Sequence, residues 1–145
     1  MTEFSPTFAF DFYPLQAQDQ TRIWPFFENL KGGRLTTTKC GKCGAVLWQP
    51  RVVCPHCNHD EMEWVDLPAT GRIFAFTAVY AGAPLGMEKD VPFVVAIVEL
   101  DGSPVRLTAK VDNARYENLR IGDPVRLKVV DLADGRVWFR FKPVR

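Results

Sequence analysis

The sequence lacks the features that mark membrane-spanning, exported and strongly charged proteins. It has no apolar run near the ~20 residues that a transmembrane helix requires. Residues 1–4 provide neither the basic region nor the apolar core of a signal peptide, and these absences predict a cytoplasmic location. The 18 basic and 17 acidic side chains leave a net charge of +1, which predicts no strong field for nucleic acid or for an anionic membrane.

The usual catalytic patterns are missing as well. There is no Gly-rich phosphate-binding loop, and no Ser/His/Asp or Cys/His set offers an available nucleophile. The acidic residues within 60–63 and 88–90 are of the kind that is usually solvated. The sequence therefore predicts no catalytic residue in this chain.

All four cysteines occur in two Cys-x-x-Cys pairs, Cys40 with Cys43 and Cys54 with Cys57. A thiolate pair with this spacing can bind one metal ion from a tight turn, and two pairs complete the tetrahedral four-sulfur site that zinc prefers. Such a site has no open position for water or substrate. The pattern therefore predicts one structural Zn²⁺ per chain, bound by a small ribbon whose folding depends on the metal.

Other interpretations of the cysteines remain open at this point. Two disulfides would need an oxidising compartment, and four unrelated buried thiols are a further alternative. His56 or His59 could replace one cysteine as a ligand, although both are expected to face solvent. Gly44 and Asn58 each follow the second cysteine of a pair, where a residue that tolerates left-handed backbone is useful.

Residues 19–33 carry a helical pattern. The apolar side chains at positions 23, 26, 27 and 30 follow the spacing of one helix face. Pro25 indicates that the regular part begins near Trp24, and Gly32-Gly33 marks the end.

The rest of the chain, after the cysteine pairs, is predicted to be all-β. Five strands with a helical connector between the third and fourth match an OB-type barrel. The apolar run at 93–100 predicts a strand buried on both faces. The strands are predicted at residues 73–80, 93–100, 105–111, 125–132 and 137–141, and the connector at 113–120.

The predicted fold class is therefore mainly β, with an N-terminal helical segment, a four-cysteine zinc ribbon and a C-terminal five-stranded OB-type barrel. The segments are residues 1–33 for the N-terminal aromatic arm and helix, 34–68 for the zinc ribbon and 69–145 for the OB-fold domain.

Over residues 19–143 the chain resembles the DUF35 family of zinc-ribbon/OB-fold proteins. The order of helical segment, four-cysteine ribbon and barrel identifies the family more specifically than any one of these parts alone. Gly41 departs from the family pattern, where proline is frequent, and the aromatic residues before position 19 have no match. The segments that carry the resemblance are GRL at 33–35, PR at 50–51, GRIFAFT at 71–77, VELDG at 98–102 and IGDPV at 121–125.

The resemblance implies a small non-catalytic subunit that accompanies thiolase-superfamily enzymes, or hydratases and aldolases of acyl-CoA metabolism. We therefore expect a hetero-oligomer with a larger thiolase-superfamily subunit, with acyl-CoA near the interface, and no membrane association. The resemblance also implies that the loop after the first barrel strand approaches the acyl-CoA pocket of the partner. An accessory subunit of a hydratase or aldolase complex is the first alternative.

A single-stranded nucleic-acid-binding module is a further alternative, because zinc ribbons and OB barrels both serve that purpose. The near-neutral charge ranks it below the acyl-CoA interpretation, and the aromatic residues are expected to be core. The candidate stacking residues are Phe74, Phe76, Tyr80 and Phe93, and the candidate phosphate contacts are Arg126, Lys128, Arg140 and Lys142.

Two segments are predicted to dock on a partner. Phe8, Phe10 and Phe12 belong to an arm too short to form its own core, and aromatic side chains are favoured anchors at interface centres. Leu85 and Met87 are apolar residues in a long, Gly-containing loop. The alternatives are that the arm packs back on its own domain and that the loop is merely mobile surface.

Overall fold

The computed structural model describes residues 13–84 and 87–144. Phe8, Phe10, Phe12 and Leu85 therefore lie outside the described residues. Within these described residues the elements are one α-helix, α1 (Trp24–Lys31), and eight strands, with a 3-10 turn at Tyr116–Asn118 between the sixth and seventh strands. The strands are β1 (Thr36–Cys40), β2 (Val46–Leu47), β3 (Met62–Asp66), β4 (Thr70–Val79), β5 (Phe93–Leu100), β6 (Arg106–Val111), β7 (Pro124–Asp131) and β8 (Val137–Pro143). None of the described helices is long and apolar enough to span a membrane.

Helix α1 begins at Trp24, as the position of Pro25 predicts, because proline is tolerated in the first helical turn, where its missing N–H has no partner to lose. Phe26, Phe27 and Leu30 are its buried residues. Lys31 lies in the last turn, where a cation is favoured by the helix dipole. The helix thus presents one apolar face, and this face packs on the barrel.

The strands form two sheets. β2, β1 and β3 form an antiparallel three-stranded ribbon, and the other five strands close into a barrel in the order β4-β5-β6-β8-β7. The barrel and the α-helix share one hydrophobic core. Within it the ring of Phe139 lies 6.3 Å from Phe26 and 5.9 Å from Trp48, so helix, ribbon and barrel meet at one aromatic cluster.

The barrel closes unevenly. β6 and β8 run parallel and pair only at Val111 and Phe141, which leaves a seam between these two strands. The side chain of Gln16 fills part of this seam: its amide nitrogen donates to the carbonyl of Val137 at 2.6 Å, and its amide oxygen accepts from the N–H of Val137 at 2.9 Å. A side-chain amide here takes the place of a neighbouring strand's peptide group.

Strand β5 differs from its prediction. Val94, Ala96 and Val98 are buried in the core, but Ile97 between them is 38% exposed. The strand is therefore buried on one face, with alternate side chains on the outside of the barrel. At one end, Gly71 of β4 lets the two strands approach closely, because a Cβ there would lie 2.6 Å from the carbonyl oxygen of Glu99.

Candidate metal centre

The four cysteines converge, as their spacing predicts. Their sulfur atoms all lie within 4.8 Å of one another. Cys40 Sγ is 3.5 Å from Cys57 Sγ, and Cys43 Sγ is 3.6 Å from Cys54 Sγ. Sulfurs at ~2.3 Å from a central zinc ion are ~3.8 Å apart in a tetrahedron, so the cluster has the size of a zinc site. A disulfide would require ~2.05 Å, and all four thiols are free.

Each cysteine pair is shaped by local backbone hydrogen bonds. The N–H of Gly44 donates to the carbonyl of Cys40 at 3.0 Å, and the N–H of Asn58 donates to that of Cys54 at 2.9 Å. Gly44 and Asn58 both have left-handed backbone, with φ of 75° and 60°. The predicted need for such a residue after each pair is therefore confirmed.

The pKa values of the thiols differ because the four sulfur atoms lie close together and interact. The N–H groups of Cys43 and Lys42 donate to Cys40 Sγ at 3.5 and 3.4 Å and hold the pKa of Cys40 at about 6. At Cys43 the N–H of Ala45 lowers the pKa, but desolvation of the sulfur and the adjacent thiols outweigh it and raise that pKa to about 11. A divalent cation removes this conflict by stabilising every thiolate at once.

The histidines are not part of the cluster. Among the described residues, the four cysteines form the one group of three or more Cys, His, Asp or Glu side chains close enough to share an ion. His56 is exposed, and His59 Nε2 instead lies 3.7 Å from Glu61 Oε2. The alternative in which a histidine replaces a cysteine is therefore wrong.

The first strand of the ribbon buries three consecutive threonine side chains. Thr36, Thr37 and Thr38 are almost completely buried. The Thr38 hydroxyl accepts from the N–H of Arg51 at 2.8 Å, and the Thr37 hydroxyl donates to the carbonyl of Leu47. These bonds position the segments around the cysteines, but they bury little apolar surface. Val46, Trp48 and Trp64 of the ribbon also pack against the core shared with the helix and the barrel, and metal binding would add to this stability.

Some predicted site residues have unexpected surroundings. Met87, a predicted docking residue, is 5% exposed and lines a cavity beneath the loop between β4 and β5. Of the candidate stacking residues, Phe74 and Tyr80 are 45% and 66% exposed, whereas Phe93 is 7% exposed. Phe76 packs against the core. The expectation that all four belong to the core is therefore wrong for Phe74 and Tyr80.

The family models divide the chain into two matched regions. Residues 27–63 match the model described as "ChsH2, rubredoxin-like zinc ribbon domain", and residues 64–130 match "ChsH2, C-terminal OB-fold domain". The first match agrees with the sulfur geometry. The four cysteines are thus a zinc-ribbon site for one metal ion.

Relatives that match across both regions agree with this assignment. A "DUF35 domain-containing scaffold protein" of Methanocaldococcus jannaschii is 32% identical over 76% of this chain and 82% of its own length. A "Probable enoyl-CoA hydratase alpha subunit" of Thermomonospora curvata is 30% identical over 70% of this chain, which corresponds to 31% of that protein. A solved structure described as "Ltp2-ChsH2(DUF35) aldolase" matches with a TM-score of 0.70 and 27% identity, over 81% of this chain and 91% of that one. The chain belongs to the DUF35 family.

Proposed function

We propose that this chain is a non-catalytic zinc-ribbon/OB-fold subunit of a thiolase-type acyl-CoA C-acyltransferase complex. The observation that carries the proposal is the closed four-sulfur site. All cysteines of the chain converge on it, so none remains to carry an acyl group. The scaffold name of the Methanocaldococcus relative supports a subunit role.

The larger partner would supply the nucleophile and the acid–base residues, and this chain would support its substrate site. The reaction would be the cleavage or formation of a 3-oxoacyl-CoA. The specific candidate is benzoylsuccinyl-CoA thiolase of anaerobic toluene degradation.

For the docking surface we retain the aromatic arm with Phe8, Phe10 and Phe12 and the loop with Leu85 and Met87. The burial of Met87 changes how the loop can be tested. A charged residue in its place would disturb the packing of the loop on the barrel, so that variant cannot separate docking from folding. Substitutions in the arm are the cleaner test.

An accessory role in a hydratase or aldolase complex is the second candidate. Two similar proteins carry those activities in their descriptions, the probable enoyl-CoA hydratase alpha subunit and the Ltp2-ChsH2(DUF35) aldolase. The two candidates differ in their chemistry: a thiolase complex consumes free CoA to cleave a 3-oxoacyl-CoA, whereas a hydratase adds water to an enoyl-CoA and an aldolase cleaves a hydroxyacyl-CoA without CoA.

One observation supports nucleic-acid binding as a further candidate function. The exposed ring of Phe74 lies 4.0 Å from the guanidinium carbon of Arg106, and a base could stack on such a pair. A salt-dependent mobility shift with single-stranded oligonucleotides would favour this function over the acyl-CoA role.

The deciding experiment is co-expression of the chain with the products of its neighbouring genes, followed by mass measurement of the complex. We expect a larger thiolase-like chain to co-purify, and the complex to catalyse thiolysis of 3-oxoacyl-CoA esters. The small chain alone should show no turnover. Activity of the isolated chain that survives removal of contaminating thiolase would contradict the proposal, and hydration or aldol cleavage by the complex would select the second candidate.

A further inference from the structure

A cavity of about 270 Å³ lies on the outside of the barrel, beneath the loop between β4 and β5. Its floor is the outer face of β5, β6 and β8, which includes Val95, Thr108 and Trp138. Pro84 and Met87 of the loop cover it. Its volume is close to the lower end, about 300 Å³, of the range for small-molecule pockets.

The walls of this cavity are mainly apolar. Val95 projects to the outer face because its neighbours Val94 and Ala96 point into the core. Phe93 and Met87, at 7% and 5% exposure, also line the cavity. The loop thus shields apolar side chains on the outside of the sheet while leaving space between them.

The charged side chains of the described lining are Lys110 and Arg140, and no acidic residue is among that lining. The pairing of Val111 with Phe141 explains their proximity. Both of these residues point into the core, so the preceding residues, Lys110 and Arg140, lie side by side on the outer face. Their side chains are only 16% and 20% exposed.

Both cations make long contacts with their carboxylate neighbours. Lys110 Nζ lies 3.4 Å from Asp90, and Arg140 Nη1 lies 3.4 Å from Asp112, whose carboxylate is closer to Lys128 at 3.0 Å. Charge-assisted hydrogen bonds are usually about 2.7–2.9 Å long. Arg140 Nη2 also lies 3.4 Å from the hydroxyl oxygen of Tyr13. Because all of these contacts are long, Lys110 and Arg140 retain capacity for a further anionic acceptor.

We propose that this cavity binds a small molecule with an apolar chain and one carboxylate. The chain would contact Met87, Phe93 and Val95, and the carboxylate would accept hydrogen bonds from Lys110 and Arg140. A planar carboxylate suits the guanidinium of Arg140, which can donate two parallel hydrogen bonds to it. This site does not depend on the proposed subunit role.

The test is isothermal titration calorimetry of octanoate into the full-length, zinc-loaded chain, with octanamide as the uncharged matched ligand. We expect saturable binding of octanoate, at least about tenfold tighter than that of octanamide, because hydrogen bonds to charged groups contribute more than neutral ones. Lys110→Gln and Arg140→Gln should each weaken octanoate about tenfold. Arg106→Gln on β6 and Lys142→Gln on β8, which alter charges outside the cavity lining, should leave its affinity unchanged.

A cavity-filling variant gives an independent measurement. Val95→Phe should abolish octanoate binding, and thermal melting would establish that the barrel is still folded. Equal affinity for octanoate and octanamide, or unchanged affinity in both cation variants, would overturn the proposal. So would binding that appears only when Phe8, Phe10 and Phe12 are replaced by serine, because the N-terminal arm would then be the natural occupant.

Discussion

Replacing Gln16 with leucine should destabilise the barrel more than a single side-chain hydrogen bond would suggest. Gln16 is 7% exposed, and Val137, to which it donates and from which it accepts, is fully buried. Leucine is similar in size but offers neither donor nor acceptor. Both peptide groups of Val137 at the seam would then be buried without a partner.

The expected cost follows from those two groups. A buried donor or acceptor left unsatisfied costs about 1–3 kcal/mol, so Gln16→Leu should lower the free energy of unfolding by about 3 kcal/mol. For a chain of this size, 1 kcal/mol corresponds to about 2–4 °C in Tm. The melting temperature should therefore fall by about 6–12 °C.

Thermal and urea unfolding of the zinc-loaded chain measure this effect. Gln20→Leu is the matched control, since the Gln20 side chain is exposed and accepts an exposed hydrogen bond from the N–H of Ala17; it should change Tm little. Gln16→Glu keeps an acceptor but loses the donor and buries a charge, so it should also destabilise. If Gln16→Leu is no more costly than Gln20→Leu, the seam is not closed by this side chain and the reasoning fails.

Three further predictions concern the ribbon, the barrel and the ion pair between Asp134 and Arg136. Cys54→Ser should unfold the ribbon while sparing much of the barrel, since zinc binding is worth about 10–16 kcal/mol in small zinc domains. Amide hydrogen exchange and metal analysis measure this effect. A wild-type zinc content below about a tenth of an equivalent, together with oxidised thiols, would contradict the prediction. Gly71→Ala should lower the free energy of unfolding by about 1–3 kcal/mol, because the new Cβ would lie 2.6 Å from the carbonyl oxygen of Glu99. Chemical denaturation at neutral pH measures this loss. An unchanged stability would mean that β4 and β5 move apart and relieve the clash. The hydrogen bond from Arg136 holds the pKa of Asp134 below its usual 3.8, so this group stabilises the fold above about pH 4 and loses that effect as the pH falls. Asp134→Asn should therefore flatten the dependence of the unfolding free energy on pH below about pH 4. An unchanged dependence in that range would count against the ion pair.

The metal site was predictable because its information is local. Cysteine spacing alone places two thiolates on one turn, and the residue after each pair needs left-handed backbone, which Gly44 and Asn58 adopt. The start of α1 is local in the same way, through the position of Pro25. Such features depend on a few consecutive residues and on backbone geometry, so they can be recognised without knowing the tertiary fold.

The seam and the cavity were not predictable because they depend on long-range register. Gln16 and Val137 are 121 positions apart, and nothing in the sequence near either residue indicates the hydrogen bonds. Lys110 and Arg140 become neighbours only through one parallel pair of residues between β6 and β8. The apolar run at 93–100 was likewise misleading, since apolar side chains on the outer face are covered by a loop at one end and exposed at the other.

The contacts of Tyr13 define where the arm can be cut to test docking. Arg136 Nη1 donates to the Tyr13 carbonyl at 2.6 Å, and the Tyr13 ring packs edge-on against Trp138 at 6.0 Å. Tyr13 thus packs on the barrel, so a deletion that includes it would confuse docking with stability. Deleting residues 1–12 should weaken capture of the larger subunit in a pull-down while leaving Tm within about 2 °C of the full chain, whereas Tyr13→Ala should lower Tm through lost aromatic packing. If the deletion leaves capture intact but lowers Tm, the arm packs on its own domain and is not the docking surface.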